Sequence, residues 1–268
     1  MGASPASEHH MATVPTTRTP DARRHPIRTA LARAVREPPA ARPGAIAAGA
    51  ALVGGAYVLM LLNRDTLHPL INEEGWVETI GALGLACASA LFVAAALRRD
   101  RPRPVRAALA LLALAFAFGA GEEVSWGERR LGVEAPDALI AANAQGESNL
   151  HNLAAIDGSV DNLFTAFVVV FAIALPLAVA ISPRLGGWAR RLVPVIPAGL
   201  ALLFLANELA FRAVWWLMPR GWYDGVHPFS QAAHEIRETN ASILFALAAL
   251  ALALAGRRRT RGAVAAGE

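Results

Sequence analysis

The chain has 268 residues, of which 55% are hydrophobic and only 17% charged, with a mean hydropathy of +0.39. A soluble domain carries about a quarter charged residues, and the apolar residues here gather in long blocks, which excludes an ordinary soluble enzyme and a disordered or fibrous chain alike. All 25 basic residues are Arg, the formal net charge is +4 and the pI is near 10.4, but the Arg sit in short runs between apolar blocks, so the basicity points to membrane topology rather than to nucleic acid.

Residues 1–43 are rich in Pro, Ala, Thr, Ser and Arg and almost free of large apolar side chains. Nothing there offsets the entropy of ordering the backbone, so a disordered cytoplasmic tail is expected. It is too long and too Arg-rich for a cleavable signal peptide. Six apolar blocks follow, at 44–62, 76–97, 105–121, 161–181, 192–217 and 237–255. Each reaches or approaches the roughly 20 residues that span a bilayer. Ala47, Ala51 and Gly55 recur at four in the first, a face that would let another helix approach closely. Pro176 is expected to kink the fourth. Cys87 is the only Cys, so no disulfide within the chain and no zinc-finger spacing exist.

Arg distribution orients the bundle. Nineteen Arg fall before the first block, in 98–106, in 182–191 and after the last block; six, among them Arg212 and Arg237, fall on the other side. The positive-inside rule then places both termini in the cytoplasm, followed at the C-terminal end by a basic tail, 256–268. Acidic residues run the other way, with 16 of 21 at the outer side. Trp76, Trp126, Trp215 and Trp216 fall at the outer boundaries, as an aromatic belt would.

The polar residues of interest occupy four outer segments. Glu74 and Glu78 enter the second span one turn apart. Glu122 and Glu123 end the third span, where a carboxylate opposes the helix dipole, and Ser125 and Trp126 follow. Salt bridges to Arg129 and Arg130 are one outlet for those two carboxylates. The loop 122–160 is too long for a plain connector. Pro136 and Asp137 suit a short helix over about 136–144, and Leu150, Leu153, Ile156 and Val160 suit a second one lying on the membrane. Between them, Asn149, His151 and Asn152 crowd together. In the fifth span Asn207 and Glu208 sit among apolar residues with Arg212 one turn on, an ion pair in reach. The last loop carries His227, His234, Glu235 and Glu238, and His234 and Glu238 share a helical face.

The segments GEEVSWGERRLG (121–132), APDAL (135–139) and NAQGESNLHN (143–152) resemble those of uncharacterised bacterial multi-pass membrane proteins with GEE-x-SWGQR, a TPE-type step and NLHN. Glu128 stands where that pattern has Gln, and Ala135-Pro136-Asp137 where it has Thr-Pro-Glu. The resemblance covers about 30 central residues, implies a multi-pass protein of the bacterial cytoplasmic (inner) membrane and carries no established activity. A looser similarity is to ceramidase-like membrane hydrolases, whose zinc is held by three histidines near an Asp and a Ser and whose pattern is usually spread over seven spans.

The expected architecture is therefore an all-α, six-span bundle with an outward polar site. One functional expectation is a metal-dependent hydrolase or transferase acting on a lipid or lipid-linked substrate. Zinc would be held by His151, His227 and His234, with Glu122, Glu123 or Glu208 as carboxylate ligand or general base, and Ser125 bonded to a reacting oxygen. Glu78, Asn149, Asn152, Asn207, Arg212 and Glu238 would line the same site. The alternatives are an ion-coupled transporter using Glu78 and Glu208, or an accessory membrane subunit whose acidic outer surface binds a partner.

Overall fold

A computed structural model describes residues 43–62, 75–132, 136–143, 150, 153, 159–217 and 228–255. Those residues are helical with no strand among them, apart from one isolated antiparallel bridge between Asn143 and Leu153. The long helices are α1 (Pro43–Leu62), α2 (Trp76–Ala96), α3 (Arg103–Glu123), α6 (Ser159–Ile181), α8 (Ala198–Leu217) and α9 (Pro228–Leu254). The short ones are α4 (Glu128–Leu131), α5 (Asp137–Ala142) and α7 (Pro183–Leu192). Five helices, α2, α3, α6, α8 and α9, are long and apolar enough to cross a membrane. They mark the chain as a multi-pass membrane protein in contact with lipid. The apolar stretch of α1, Ile46–Leu62, is shorter than the others.

Small residues set the tightest helix contact. A Cβ built on Gly84 of α2 would lie 2.5 Å from Ser242 Oγ and 3.1 Å from the Ser242 backbone, and one on Gly81 would lie 3.2 Å from Thr239 Oγ1. Only glycine lets α2 and α9 pack this closely, and Thr239 then donates to the Val77 carbonyl at 3.0 Å. Toward the other end, Phe92, Phe116, Phe204 and Phe245 fill the space between α2, α3, α8 and α9. Their centroids are 5.4 Å apart for Phe92–Phe116, 4.8 Å for Phe116–Phe245 and 4.6 Å for Phe204–Phe245. In α1 the packed face is Val53, Tyr57 and Met60, not the expected Ala47–Ala51–Gly55 stripe, of which Ala47 and Ala51 are exposed. Bulk decides this: Tyr57 fills a site on α8 and α9 that a small side chain would leave empty.

Four features of the helices differ from the sequence expectation. The fourth span accommodates Pro176 through a seven-residue π segment, Val168–Ala174, in which the Leu175 amide bonds the Val170 carbonyl. Proline lacks an N–H and crowds the carbonyl four residues back, and the wider register absorbs both effects. The region 182–191, expected as a loop, is largely α7, capped by Ser182 Oγ accepting from the Leu185 amide at 3.4 Å. Pro194 and Pro197 then delay the fifth span, so α8 begins at Ala198 rather than at 192. The last helix starts at Pro228, nine residues earlier than expected, which turns the supposed loop residues His234, Glu235, Arg237 and Glu238 into helical ones.

Candidate functional site

The antiparallel course of the helices gathers the polar residues at one end. The beginnings of α2, α6 and α9 and the end of α3 share that end, so Glu78, Asp161, His234 and Glu123 come from four different helices. Glu123 Oε2 lies 3.7 Å from the Cβ position of Gly81 on α2. Its carboxylate senses the charges of Glu78 and Glu235, and Glu238 senses Glu123, Glu235 and Asp161. Glu78, Glu123, Asp161, Glu235 and Glu238 thus all belong to this end of the bundle, which we call the polar chamber, in a segment that would sit at the membrane edge, where such crowding is expensive.

Three side chains in the chamber converge. One ligand atom each from Asp161, His234 and Glu238 lies within 4.8 Å of the other two. His234 Nδ1 is 3.9 Å from Asp161 Oδ2, too long for a hydrogen bond. The His234 ring is wedged edge-on between Phe211, at 4.9 Å, and Trp215, at 5.5 Å, which fixes its plane. About half of the Asp161 side chain and a third of the His234 side chain remain exposed, so the group opens outward rather than being sealed. One imidazole and two carboxylates suit a divalent ion of the zinc, manganese or iron kind.

A second, fully internal network stands beside this group. Arg237 Nε donates to Glu208 Oε1 at 2.9 Å, and Arg237 Nη2 donates to Thr165 Oγ1 at 2.7 Å. The guanidinium also lies over the rings of Phe211, at 4.9 Å, and Phe164, at 5.6 Å. Thr165 in turn donates to the Asp161 carbonyl at 2.7 Å. Arg237 therefore ties α6, the helix of Asp161, to α9, the helix of His234 and Glu238. Asn207 Oδ1 accepts from Tyr57 Oη and from Asn240 Nδ2, each at 3.1 Å, while Asn207 Nδ2 donates to the Arg237 carbonyl at 2.9 Å. This satisfies every polar atom of Asn207 that helix packing removes from water.

The expected site residues divide accordingly. Glu78, Glu123, His234 and Glu238 meet in the chamber. Glu208 and Asn207 belong to the internal network, and the expected Glu208–Arg212 pair gives way to Glu208–Arg237. Arg212 lies on the exposed side of α8. Arg237 Nε reaches Glu208 Oε1 from α9 at 2.9 Å, whereas Arg212, one turn further along α8, is exposed. Glu122 is an anchor: Oε1 accepts from Trp126 Nε1 and Oε2 from the Leu150 amide, both at 2.6 Å. Ser125 is buried in a turn where it, Trp126 and Gly127 have φ of 45°, 54° and 78° in succession. The side chains of Arg129 and Arg130 lie outside the described residues, as do His151, His227, Asn149 and Asn152.

Asp161, Thr165, Glu235, Arg237 and Tyr57 are the residues that the sequence expectation left out of the site. Arg237 carried a usable signal, since Glu208 at membrane depth demands a cation and Arg237 opens the next apolar block. No family model, curated protein or solved structure matches the chain.

Proposed function

We propose that the chain is a metal-dependent hydrolase or transferase acting on a lipid or lipid-linked substrate, with Asp161, His234 and Glu238 as metal ligands. The observation that carries this reading is the convergence of one imidazole and two carboxylates from two helices within 4.8 Å at the open end of a membrane bundle. A divalent ion held there would supply Lewis acidity and a lowered pKa for water. Glu123, at the end of α3, and Glu235, beside His234 on α9, are the candidates to take a proton from the nucleophile. His227 directly precedes α9 in sequence and His151 precedes α6, so each is a candidate for a further ligand position. In this reading the chamber faces outward from a bacterial cytoplasmic membrane, with both termini inside; the support for that orientation is the Arg distribution.

The test is turnover of lipid esters, amides and phosphodiesters by purified protein, before and after chelation. The expected result is hydrolysis that chelator abolishes and zinc or manganese restores. Glu123→Gln is expected to keep the metal and lose at least a hundredfold in rate. Turnover indifferent to chelation, or no turnover of any of these lipids by the metal-loaded protein, contradicts the enzymatic reading.

One observation favours a second reading. Glu78, Glu123 and Glu235 crowd together within the spans, as cation or proton carriers require. Such a carrier would work through those three rather than through Glu208, which Arg237 already neutralises.

A further inference from the structure

The opposite end of the bundle carries a separate feature. Helix α7 has ten residues, about 15 Å of helix, too short to cross a bilayer. It follows the end of α6 directly and folds back on it: a Cβ built on Gly186 would lie 3.3 Å from Val179 Cγ1, and Ala189 is fully buried. This packed face is apolar. At 100° per residue, Arg184, Trp188 and Arg191 form a strip on the other side. All three are exposed, Trp188 by 64%. Gly187 lies between the two arginines, and its Cβ position meets nothing within 4 Å. The strip is thus an open floor with a guanidinium one turn away on each side and an indole at its edge.

Two facts identify the occupant. The charge is uncompensated: no acidic residue occurs between Ile181 and Glu208, and neither Arg184 nor Arg191 bonds another described residue. Two loop arginines at the same end are engaged instead, Arg98 by Asp100 and the Ala253 carbonyl, and Arg101 by the Leu252 carbonyl. The strip is also flanked by exposed apolar side chains, Ile181 at the end of α6 and Leu192. A phosphate carried on acyl chains fits that position, with Trp188 at the headgroup depth.

We propose that Arg184, Trp188 and Arg191 of α7 form a docking site for the phosphate headgroup of an anionic phospholipid, on the face of the protein opposite the polar chamber. Two guanidiniums clamp the phosphate oxygens and the indole packs against the glycerol and upper acyl chain. The site also holds α7 flat against the membrane and so fixes the end of α6.

The test is lipid retention by full-length protein, counted by native mass spectrometry after exchange into mixed phosphatidylglycerol and phosphatidylcholine. Wild type is expected to retain phosphatidylglycerol preferentially. Each arginine near an anionic surface contributes about fivefold in affinity, so the Arg184→Gln/Arg191→Gln double variant should bind about 25-fold more weakly. Arg190→Gln is the control for charge alone, since Arg190 lies about 100° round the helix from the strip, and it should weaken binding by less than the roughly fivefold expected for either strip arginine. Size-exclusion profile and helical circular dichroism establish that the variants are folded. Equal retention by the folded double variant and wild type, equal loss in Arg190→Gln, or no preference for the anionic lipid overturns the proposal. Displacement of the lipid by millimolar inorganic phosphate would also overturn it, since it would assign the strip to free phosphate.

Discussion

The two ends of this bundle solve opposite problems. At one end Phe92, Phe116, Phe204 and Phe245 interlock without a polar atom among them. At the other, five carboxylates, an imidazole and the Glu208–Arg237 pair gather on α2, α3, α6, α8 and α9. Lipid is as apolar as the aromatic cluster, so that cluster gains from close packing rather than from escaping water. The charged end gains nothing from packing that a set of leucines would not supply. Within it, Arg237 pairs with Glu208 at 2.9 Å.

The largest effect that separates the two ends is expected at Arg237. Arg237→Leu strands Glu208 in a buried position and frees Thr165, which should cost about 3–5 kcal/mol. Replacing both partners, Glu208→Leu with Arg237→Met, should recover most of that loss, because an apolar pair needs no desolvation. Denaturation titrations in mixed micelles measure both; equal losses in the single and double variants would show that the pair itself is not what matters. At the aromatic end, Phe245→Ala removes the ring that three other Phe side chains touch. The cavity term survives in a membrane and the water-transfer term does not, so about 2 kcal/mol is expected. Metal content should be unchanged in this variant, and a parallel loss of metal would mean the two ends are coupled.

Smaller effects sharpen the picture. Glu122→Gln keeps one acceptor oxygen and puts an amide where the second one stood, against either Trp126 or the Leu150 amide. A loss of about 1 kcal/mol is expected, with faster hydrogen exchange confined to the turn at 124–127 and to Leu150. The smallest effect belongs to the loop between α2 and α3. The Arg98 guanidinium hydrogen-bonded to Asp100 holds its carboxyl below the ordinary carboxylate value. A lowered folded-state pKa stabilises above the ordinary value of about 4 and is lost as pH falls through the folded one. Solvent screens this exposed pair, so Asp100→Asn should shift thermal stability slightly at about pH 7, and the shift should shrink as the pH is lowered below the ordinary carboxylate range.

Much of this architecture is legible in the sequence, for definite reasons. Apolar blocks of span length announce α2, α3, α6, α8 and α9, because no other arrangement buries them. The spacing of His234 and Glu238 gives their shared face, and Pro136 and Asp137 give the start of α5. The start of α9 was hidden because polar residues facing a chamber resemble a solvated loop until the helix is seen. Long-range pairing was hidden too: Glu208 and Arg237 are 29 residues apart, and Asp161 and His234 further still. A local rule favours the neighbour four residues on, so it selected Arg212. The π segment answers Pro176, but its length depends on how α8 packs against it.

The most direct measurement is the metal content of full-length protein purified without chelator, wild type beside His234→Ala and Glu238→Ala. If Asp161, His234 and Glu238 form a metal site, wild type carries close to one equivalent of zinc, manganese or iron. Each variant then loses at least tenfold in affinity while keeping the thermal stability of the metal-free wild type. A folded wild type that binds none of these ions when they are supplied, or one that binds equally well in both variants, contradicts the account.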